Sequence, residues 1–383
     1  MLAPQPFLQP RGTPISIYFR IRALSELGHK VDLITYHLGE DVRIQDLKIL
    51  RIPDLFFIRR VKIGPSFIKV PLDFLLFFKA LFQLTIKPYD LLFSHEEAAW
   101  PGAILAKIWR MPHIYDMHSS LPDQLETFTF SHSKILKKFL QGIEKYSLKN
   151  SHALIVICLD LLKKAEKAGY GKKAILLENF LDFINQEFSE DQIQNKKRMF
   201  APKGEKIILY TGNFEPYQGI PLLLKAAAKI KDERVFFLLV GGSKADSEKM
   251  RRKAEAMDIS HKIIFAGEVI PSEIPLYISI ADVLVSPRLL GTNTPLKIYS
   301  FLKSGKPVVA TNLWAHTQVL GPENAVLVDP NPQSLADGIC FSLGNTDAQK
   351  RAHAAKELAE KKYTYPRYLE KVREELEKAC HPH

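Results

Sequence analysis

Residues 287–319, PRLLGTNTPLKIYSFLKSGKPVVATNLWAHTQV, constrain the chain more than any other stretch. A loop rich in Gly, Thr and Asn runs into Leu296, Tyr299 or Ser300, and Phe301-Leu302, apolar or small positions at helical spacing. Ser304-Gly305-Lys306-Pro307 stops that helix, with glycine near the C-cap and proline just beyond. Val308-Val309-Ala310 is then a short apolar strand of the kind buried on both faces of a parallel sheet. The spacing predicts a helix opening at Gly291-Thr292-Asn293-Thr294-Pro295, where Asn or Thr caps free N–H groups and proline suits the first turn. A helix N-terminus laid open at the end of a parallel strand favours an anion, because its unpaired N–H groups and dipole face outward. On spacing alone the favoured reading of the stretch is an ordinary αβ unit of a doubly wound domain.

At 383 residues the chain is too long for one ordinary core and suits two domains of roughly 150 to 200 residues. Hydrophobic residues at 46% and charged residues at 25% are globular values and exclude a disordered chain. Apolar strand-like runs fall at Val31–Thr35 and at 89–94, 112–118, 153–157 and 174–177 in the first half. They recur at 207–211, Val235–Val240, 263–269, 281–287 and 324–329 in the second. Helical patterns lie between them, among them 15–27, 100–109, Lys134–Asn150, 220–230 and 332–343, which predicts an α/β fold. Met1-Leu2-Ala3-Pro4 reads as the end of a first strand, shorter than the usual five or so residues, so that strand is expected to start upstream of Met1. Residues 182–202, rich in charge and amides, are expected to connect the domains without contributing core.

The net charge of +11 favours anionic partners: nucleotides, nucleic acid or an acidic membrane surface. Without zinc-finger spacing, an RNP-type aromatic motif or a long basic tail, nucleic acid ranks last. Cys158, Cys340 and Cys380 are far apart and form no CxxC pair, so they read as reduced cytosolic thiols without a metal role. No secretory signal opens the numbered sequence. The strongest apolar run, residues 70–86, carries Asp73 and Lys79 and is shorter than the ~20 residues of a membrane span. Two readings of it stand: a buried amphipathic helix, or a helix at a bilayer interface helped by Arg59, Arg60, Lys62 and Lys69.

TPLKIYSFLKSGKPVVAT resembles the sugar-nucleotide motif of family 4 glycosyltransferases, retaining enzymes of the GT-B architecture, in which two Rossmann-like doubly wound domains face each other across a cleft. The resemblance implies a first domain over 1–180, a linker at 181–203, a second domain over 204–363, and a last helix in 364–383 that crosses back to the first. It implies a nucleotide-sugar donor, a hydroxyl acceptor (a glycan, a lipid-linked molecule or a small molecule), and a cytoplasmic location with contact to the inner face of a membrane. No metal or other cofactor is expected, and the chain offers no DxD motif to hold one.

The same resemblance assigns site residues. His118, at the end of a strand, falls where the family places a histidine near the anomeric carbon of the donor sugar, and Asp116 is expected to orient it. Read alone, a histidine after a strand is more often structural than catalytic. His95 and Glu96 are expected to line the acceptor cleft. Arg11 and Gly12 form the glycine loop against the diphosphate, with Gly212, Asn213, Gln218 and Gly242 in the second half and Val269 beside the base. Asn293 and Thr294 complete the donor loop.

The family usually carries two acidic residues where this chain has Thr292 and Ser300, and a diphosphate-binding Arg and Lys where it has Asn213 and Gln218. Amides donate hydrogen bonds but neutralise no charge. Arg288 or Lys297 is therefore expected to take over, unless Lys297 sits on a solvated helix face. The losses leave two other readings beside a transferase: a sugar-nucleotide or partner-binding protein without turnover, and a non-transferase enzyme of the same architecture such as an epimerase.

Overall fold

The computed structural model describes residues 1–9, 12–62, 64–127, 133–180 and 188–380. The chain divides into two compact units, Met1–Asn179 with Pro366–His383, and Phe180–Tyr365.

The first unit is built on β1 (Leu2–Ala3), β2 (Val31–Thr35), β3 (Leu47–Arg51), β4 (Leu92–His95), β5 (His113–Met117), β6 (Ala153–Val156) and β7 (Ala174–Leu176). They form a seven-stranded sheet in the order β3-β2-β1-β4-β5-β6-β7, and every pairing is parallel. β2, β5 and β6 are buried from end to end, as expected of strands covered on both faces. Helices α1 (Gly12–Glu26), α2 (Lys69–Ile86), α3 (Ala99–Trp109), α4 (Leu121–Thr127), α5 (Lys134–Asn150) and α6 (Leu159–Lys167) connect the strands. The strand order reverses between β1 and β4, and there the carboxyl ends of parallel strands leave a crevice.

The second unit repeats this plan. Helix α7 (Glu190–Phe200) precedes β8 (Lys206–Thr211), α8 (Ile220–Ala227), β9 (Val235–Val240), α9 (Lys244–Glu255), β10 (Ile263–Gly267), α10 (Ile274–Ile280) and β11 (Val283–Ser286). The central stretch supplies α11 (Lys297–Lys303), β12 (Val308–Thr311) and α12 (Trp314–Thr317). Then come β13 (Val326–Val328), α13 (Pro332–Ser342) and α14 (Thr346–Lys362). The six strands run β10-β9-β8-β11-β12-β13, all parallel, with the reversal between β8 and β11. The last helix, α15 (Tyr365–Cys380), begins at the boundary and continues in the first unit, where Tyr368, Val372 and Leu376 are buried.

Three expectations change. Helix α11 starts at Lys297 rather than within Gly291-Thr292-Asn293-Thr294-Pro295; Leu296 is its N-cap, and no side chain caps it. Ile298 N–H donates to Pro295 O at 2.9 Å and Tyr299 N–H to Leu296 O at 3.3 Å, so a turn occupies the place of the expected first helical turn. The segment read as coreless linker carries α7, which opens with a capping box: the Ser189 hydroxyl accepts from Gln192 N–H, and the Gln192 side chain accepts from Ser189 N–H. Ile193, Phe200 and Ala201 join the second unit's core from there.

The third change concerns α2. Leu72, Leu76, Ala80 and Leu84 are buried, each leucine contributing about 1.5–3 kcal/mol on burial. Val70, Phe74, Phe78, Phe82 and Ile86 recur on the opposite face and are exposed, Phe74 at 63% and Phe82 at 64%. The helix is thus apolar on both faces, one packed on the core and one exposed. Phe56, Phe57 and Phe67 are exposed just before it, and so are Arg59, Arg60 and Lys62. Lys69 is not part of that basic set, because its ammonium is paired with Glu97 at 2.8 Å. Among the described residues no helix is long and apolar enough to cross a membrane.

Candidate active site

In the first unit the strand register assembles a charged cluster at the carboxyl ends of β4 and β5. His95 is the direct neighbour of Asp116 across the two strands. His118 lies two residues beyond Asp116, on the same side by the two-residue period of a strand. His95 Nδ1 is 3.3 Å from Asp116 Oδ2, His118 Nε2 is 3.2 Å from Oδ1, and the two ring nitrogens are 3.4 Å apart. From α1, Arg20 Nε donates to Asp116 Oδ2 at 2.9 Å, with both side chains 1% exposed. Burial alone would raise the Asp116 carboxyl, but Arg20 and then His118 hold it well below the usual carboxylate range. Burial drives the His95 imidazole well below its ordinary value against the pull of Asp116, so it is neutral. Expected in an acceptor cleft, His95 is instead wholly enclosed. Glu375 of α15 is buried with neither oxygen bonded among the described residues, and burial pushes it well above the ordinary range, against Arg20.

His95, Asp116 and His118 bring one ligand atom each within 4.8 Å of one another, a spacing that suits a cation. Asp116 Oδ2, however, already faces the Arg20 guanidinium, which would repel a second positive charge there. The set is better fitted to holding the His118 ring in place than to binding a metal. Glu96 follows β4 in the left-handed region, at φ 50°. It accepts from Ser119 Oγ at 2.8 Å and Gln124 Nε2 at 3.4 Å, which links it to the loop that starts at His118. Burial raises its carboxyl to about 7. Gly12 is the first residue of α1 and has open space where a Cβ would be; Arg11 lies outside the described residues.

In the second unit the loops leaving β8 and β11 adjoin at the reversal of strand order. A Cβ at Gly219 (φ 77°) would collide with the Pro287 carbonyl, so only glycine lets the two loops approach this closely. Asn213 is spent on the turn: its carbonyl accepts from the Tyr210 hydroxyl at 2.6 Å and its Oδ1 from Glu215 N–H at 3.2 Å. Gln218 and Thr294 are buried, and Gln218 Oε1 and Thr294 Oγ1 have no hydrogen-bond partner among the described residues. Lys297 Nζ is likewise buried without one, 3.8 Å from the centroid of the Tyr210 ring. Of the three, Thr294 Oγ1 and Lys297 Nζ can donate to an anion, whereas Gln218 Oε1 can only accept.

The remaining expected residues frame that place. Arg288 Nε donates to Leu290 O at 2.7 Å and its guanidinium lies 5.1 Å over the Tyr217 ring, so it holds its own loop. Thr292 O accepts from Gln318 Nε2 at 2.6 Å. Asn293 is half-buried, and Ser300 is buried within α11. Gly242 (φ 73°) abuts the Phe214 ring, and Val269 packs on the core just past β10. His316 was not foreseen: buried, it is 2.9 Å from Ser286 Oγ through Nε2 and 2.8 Å from Thr311 O through Nδ1, and burial lowers it to about 4. Its place after a strand was the only available signal.

Residues 10–183 match the family model "Glycosyltransferase Family 4" and residues 191–362 match "Glycosyl transferases group 1". The phosphatidyl-myo-inositol mannosyltransferase of Mycobacterium tuberculosis is 24% identical over 383 residues, 95% of this chain and 92% of its own. The alpha-monoglucosyldiacylglycerol synthase of Streptococcus pneumoniae is 25% identical, over 79% of this chain and 68% of its own. Among solved structures, Anabaena HepE in complex with UDP superposes with a TM-score of 0.76 at 16% identity, covering 98% of each chain. Two doubly wound parallel sheets with these matches define a glycosyltransferase of the GT-B architecture. The chain belongs to glycosyltransferase family 4.

Proposed function

We propose that this enzyme moves a sugar from a nucleotide-sugar donor to a hydroxyl of a lipid or lipid-linked acceptor, with retention at the anomeric carbon, without a metal ion, at the cytoplasmic face of an anionic membrane. The observation that carries the reading is the pair of unsatisfied buried donors, Thr294 Oγ1 and Lys297 Nζ, on the loop after β11 and at the start of α11, beside the strand-order reversal of the second unit. Preorganised donors there stabilise the charge that develops on a leaving diphosphate. In the first unit Asp116, fixed by Arg20, sets its carboxylate 3.2 Å from His118 Nε2 and so favours one orientation of the imidazole. HepE, in complex with UDP, supports a nucleotide donor. The exposed aromatic face of α2, with Arg59, Arg60 and Lys62 beside it, supports an anionic bilayer and thereby a lipid acceptor, as do the names of the mannosyltransferase and the diacylglycerol-linked synthase.

One observation favours a binder without turnover: both side chains that stand for the diphosphate-binding pair are amides, and Asn213 is committed to its own turn. A thermal-shift panel of UDP, GDP, ADP and their common sugars, followed by a donor-hydrolysis assay, decides between the two. A nucleotide at about a hundred times its Kd adds about 2.7 kcal/mol of stability. A shift with slow sugar release that survives EDTA is expected; a shift with no release under any condition supports the binder, and no shift with any nucleotide removes both.

A further inference from the structure

We propose that Lys297 is the cation this chain supplies to the donor diphosphate, in place of basic side chains at Asn213 and Gln218, and that its amine takes up a proton as the diphosphate binds. The inference rests on the nucleotide-sugar reading above and adds to it the identity and charge state of the group that does the binding.

An ammonium carries three donors, and those of Lys297 meet no acceptor among the described residues. The groups that face it come from three elements. Tyr210 of β8 lies under Nζ, and its hydroxyl is already donated to Asn213 O at 2.6 Å. Arg288, on the loop after β11, is a like charge stacked on the neutral Tyr217. His316 of α12 is fixed between Ser286 and Thr311 and is neutral. None of these is an anion. The ring of Tyr210 offsets only part of what a buried ammonium loses in leaving water. Burial, and then Arg288, accordingly hold the Lys297 amine well below its ordinary value.

A diphosphate reverses that balance, because an opposite charge within about 4–6 Å favours the protonated form. Gly212 keeps a side chain off the amine: a Cβ there would stand 3.4 Å from Lys297 Nζ and 3.2 Å from the Tyr210 hydroxyl. Arg288 is tied into its own loop through Nε, which donates to Leu290 O. The step is a simple protonation, in which the neutral amine accepts a proton from solvent and becomes the ammonium paired with the phosphate oxygens.

Calorimetric titration of the full chain with UDP, GDP and ADP at pH 8, in two buffers of different ionisation enthalpy, counts the protons exchanged. At that pH the terminal phosphate, with its pKa near 6, is already ionised and contributes little to the count. The expected result is net proton uptake with whichever nucleotide binds. Lys297→Met should abolish the uptake and weaken binding about 10- to 100-fold, the range of a hydrogen bond to a charged group. Lys297→Arg, permanently charged, should bind without uptake. Binding without proton uptake in the wild type, or uptake that persists in Lys297→Arg, overturns the inference and leaves the nucleotide reading intact. Failure of all three nucleotides to bind the wild type overturns both.

Discussion

Arg20 Nη1 donates to the Tyr368 hydroxyl at 2.8 Å, joining two residues 348 positions apart. Through that bond the C-terminal helix braces the guanidinium that neutralises Asp116, and Asp116 in turn holds His118. Replacing Arg20 with Met leaves a buried carboxylate without its cation, a loss of about 3–5 kcal/mol. Tyr368→Phe removes one hydrogen bond and costs about 1 kcal/mol. Urea unfolding measures both. The Asp116 carboxyl is depressed in the folded state, so its contribution is complete above the unfolded pKa of about 3.9 and fades as pH falls through its lower folded value. An Arg20→Met penalty that is the same at pH 3 and pH 7 contradicts this account.

The parallel sheets, most of their strands along the chain and the approximate place of α15 were legible because buried strands and helical periods are local patterns. Asp116 and His118 were legible because they end a strand. Arg20 was not, since an arginine in SIYFRIRALSE looks solvated until its partner, 96 positions on, is known. Lys297 stood between a solvated face and a ligand site; the place of Tyr210 beneath its amine removes the solvated face, and the pairing of β8 with β11 brings the two together. The helix in the linker announced itself in the Ser189–Gln192 spacing, a local signal outweighed by the charged composition around it. Strand β3 and helix α14 went unassigned: β3 is only partly buried and α14 presents mostly alanine to the core, so neither carries a strong apolar period.

Glu96 makes stability depend on pH in the opposite sense to Asp116. Its carboxyl is raised to about 7, chiefly by burial. The raised group contributes stability that is complete below the unfolded pKa of about 4.3 and lost as pH rises through about 7. Glu96→Gln keeps the acceptor oxygen for Ser119 and removes the titration. The difference in urea midpoint between wild type and variant should change between pH 4.5 and 7.5 and be flat on either side. A difference that does not vary across that range would show Glu96 to be ionised throughout.

The outer face of α2 separates membrane affinity from stability. Phe74, Phe78 and Phe82 are exposed and contribute little to the core, so changing all three to Ser should shift thermal stability only slightly, within about 0.5 kcal/mol for each. Each phenylalanine buried in a bilayer is worth about 1.5–3 kcal/mol, so the triple variant should lose well over tenfold in co-sedimentation with phosphatidylglycerol vesicles. Wild-type binding should weaken with salt, because Arg59, Arg60 and Lys62 supply the charge. Equal sedimentation of wild type and variant would remove the membrane from the proposed function.

Lys297 sets binding against stability. Its amine is depressed in the folded state below the unfolded pKa of about 10.4. Between those two values the unfolded chain holds the extra proton, so stability rises with pH toward about 10.4, and at pH 7 the residue lowers it. Met fills the same space without a donor, so Lys297→Met should raise the unfolding free energy at pH 7 by about 1 kcal/mol or more. That gain should shrink as pH approaches 10. With saturating UDP the order should reverse, because only the wild type gains from pairing its ammonium with the diphosphate. Urea titrations at pH 7 and pH 10, each with and without nucleotide, give the four numbers needed. A methionine variant less stable than wild type at pH 7 without nucleotide would mean that the amine already has a partner in the folded protein.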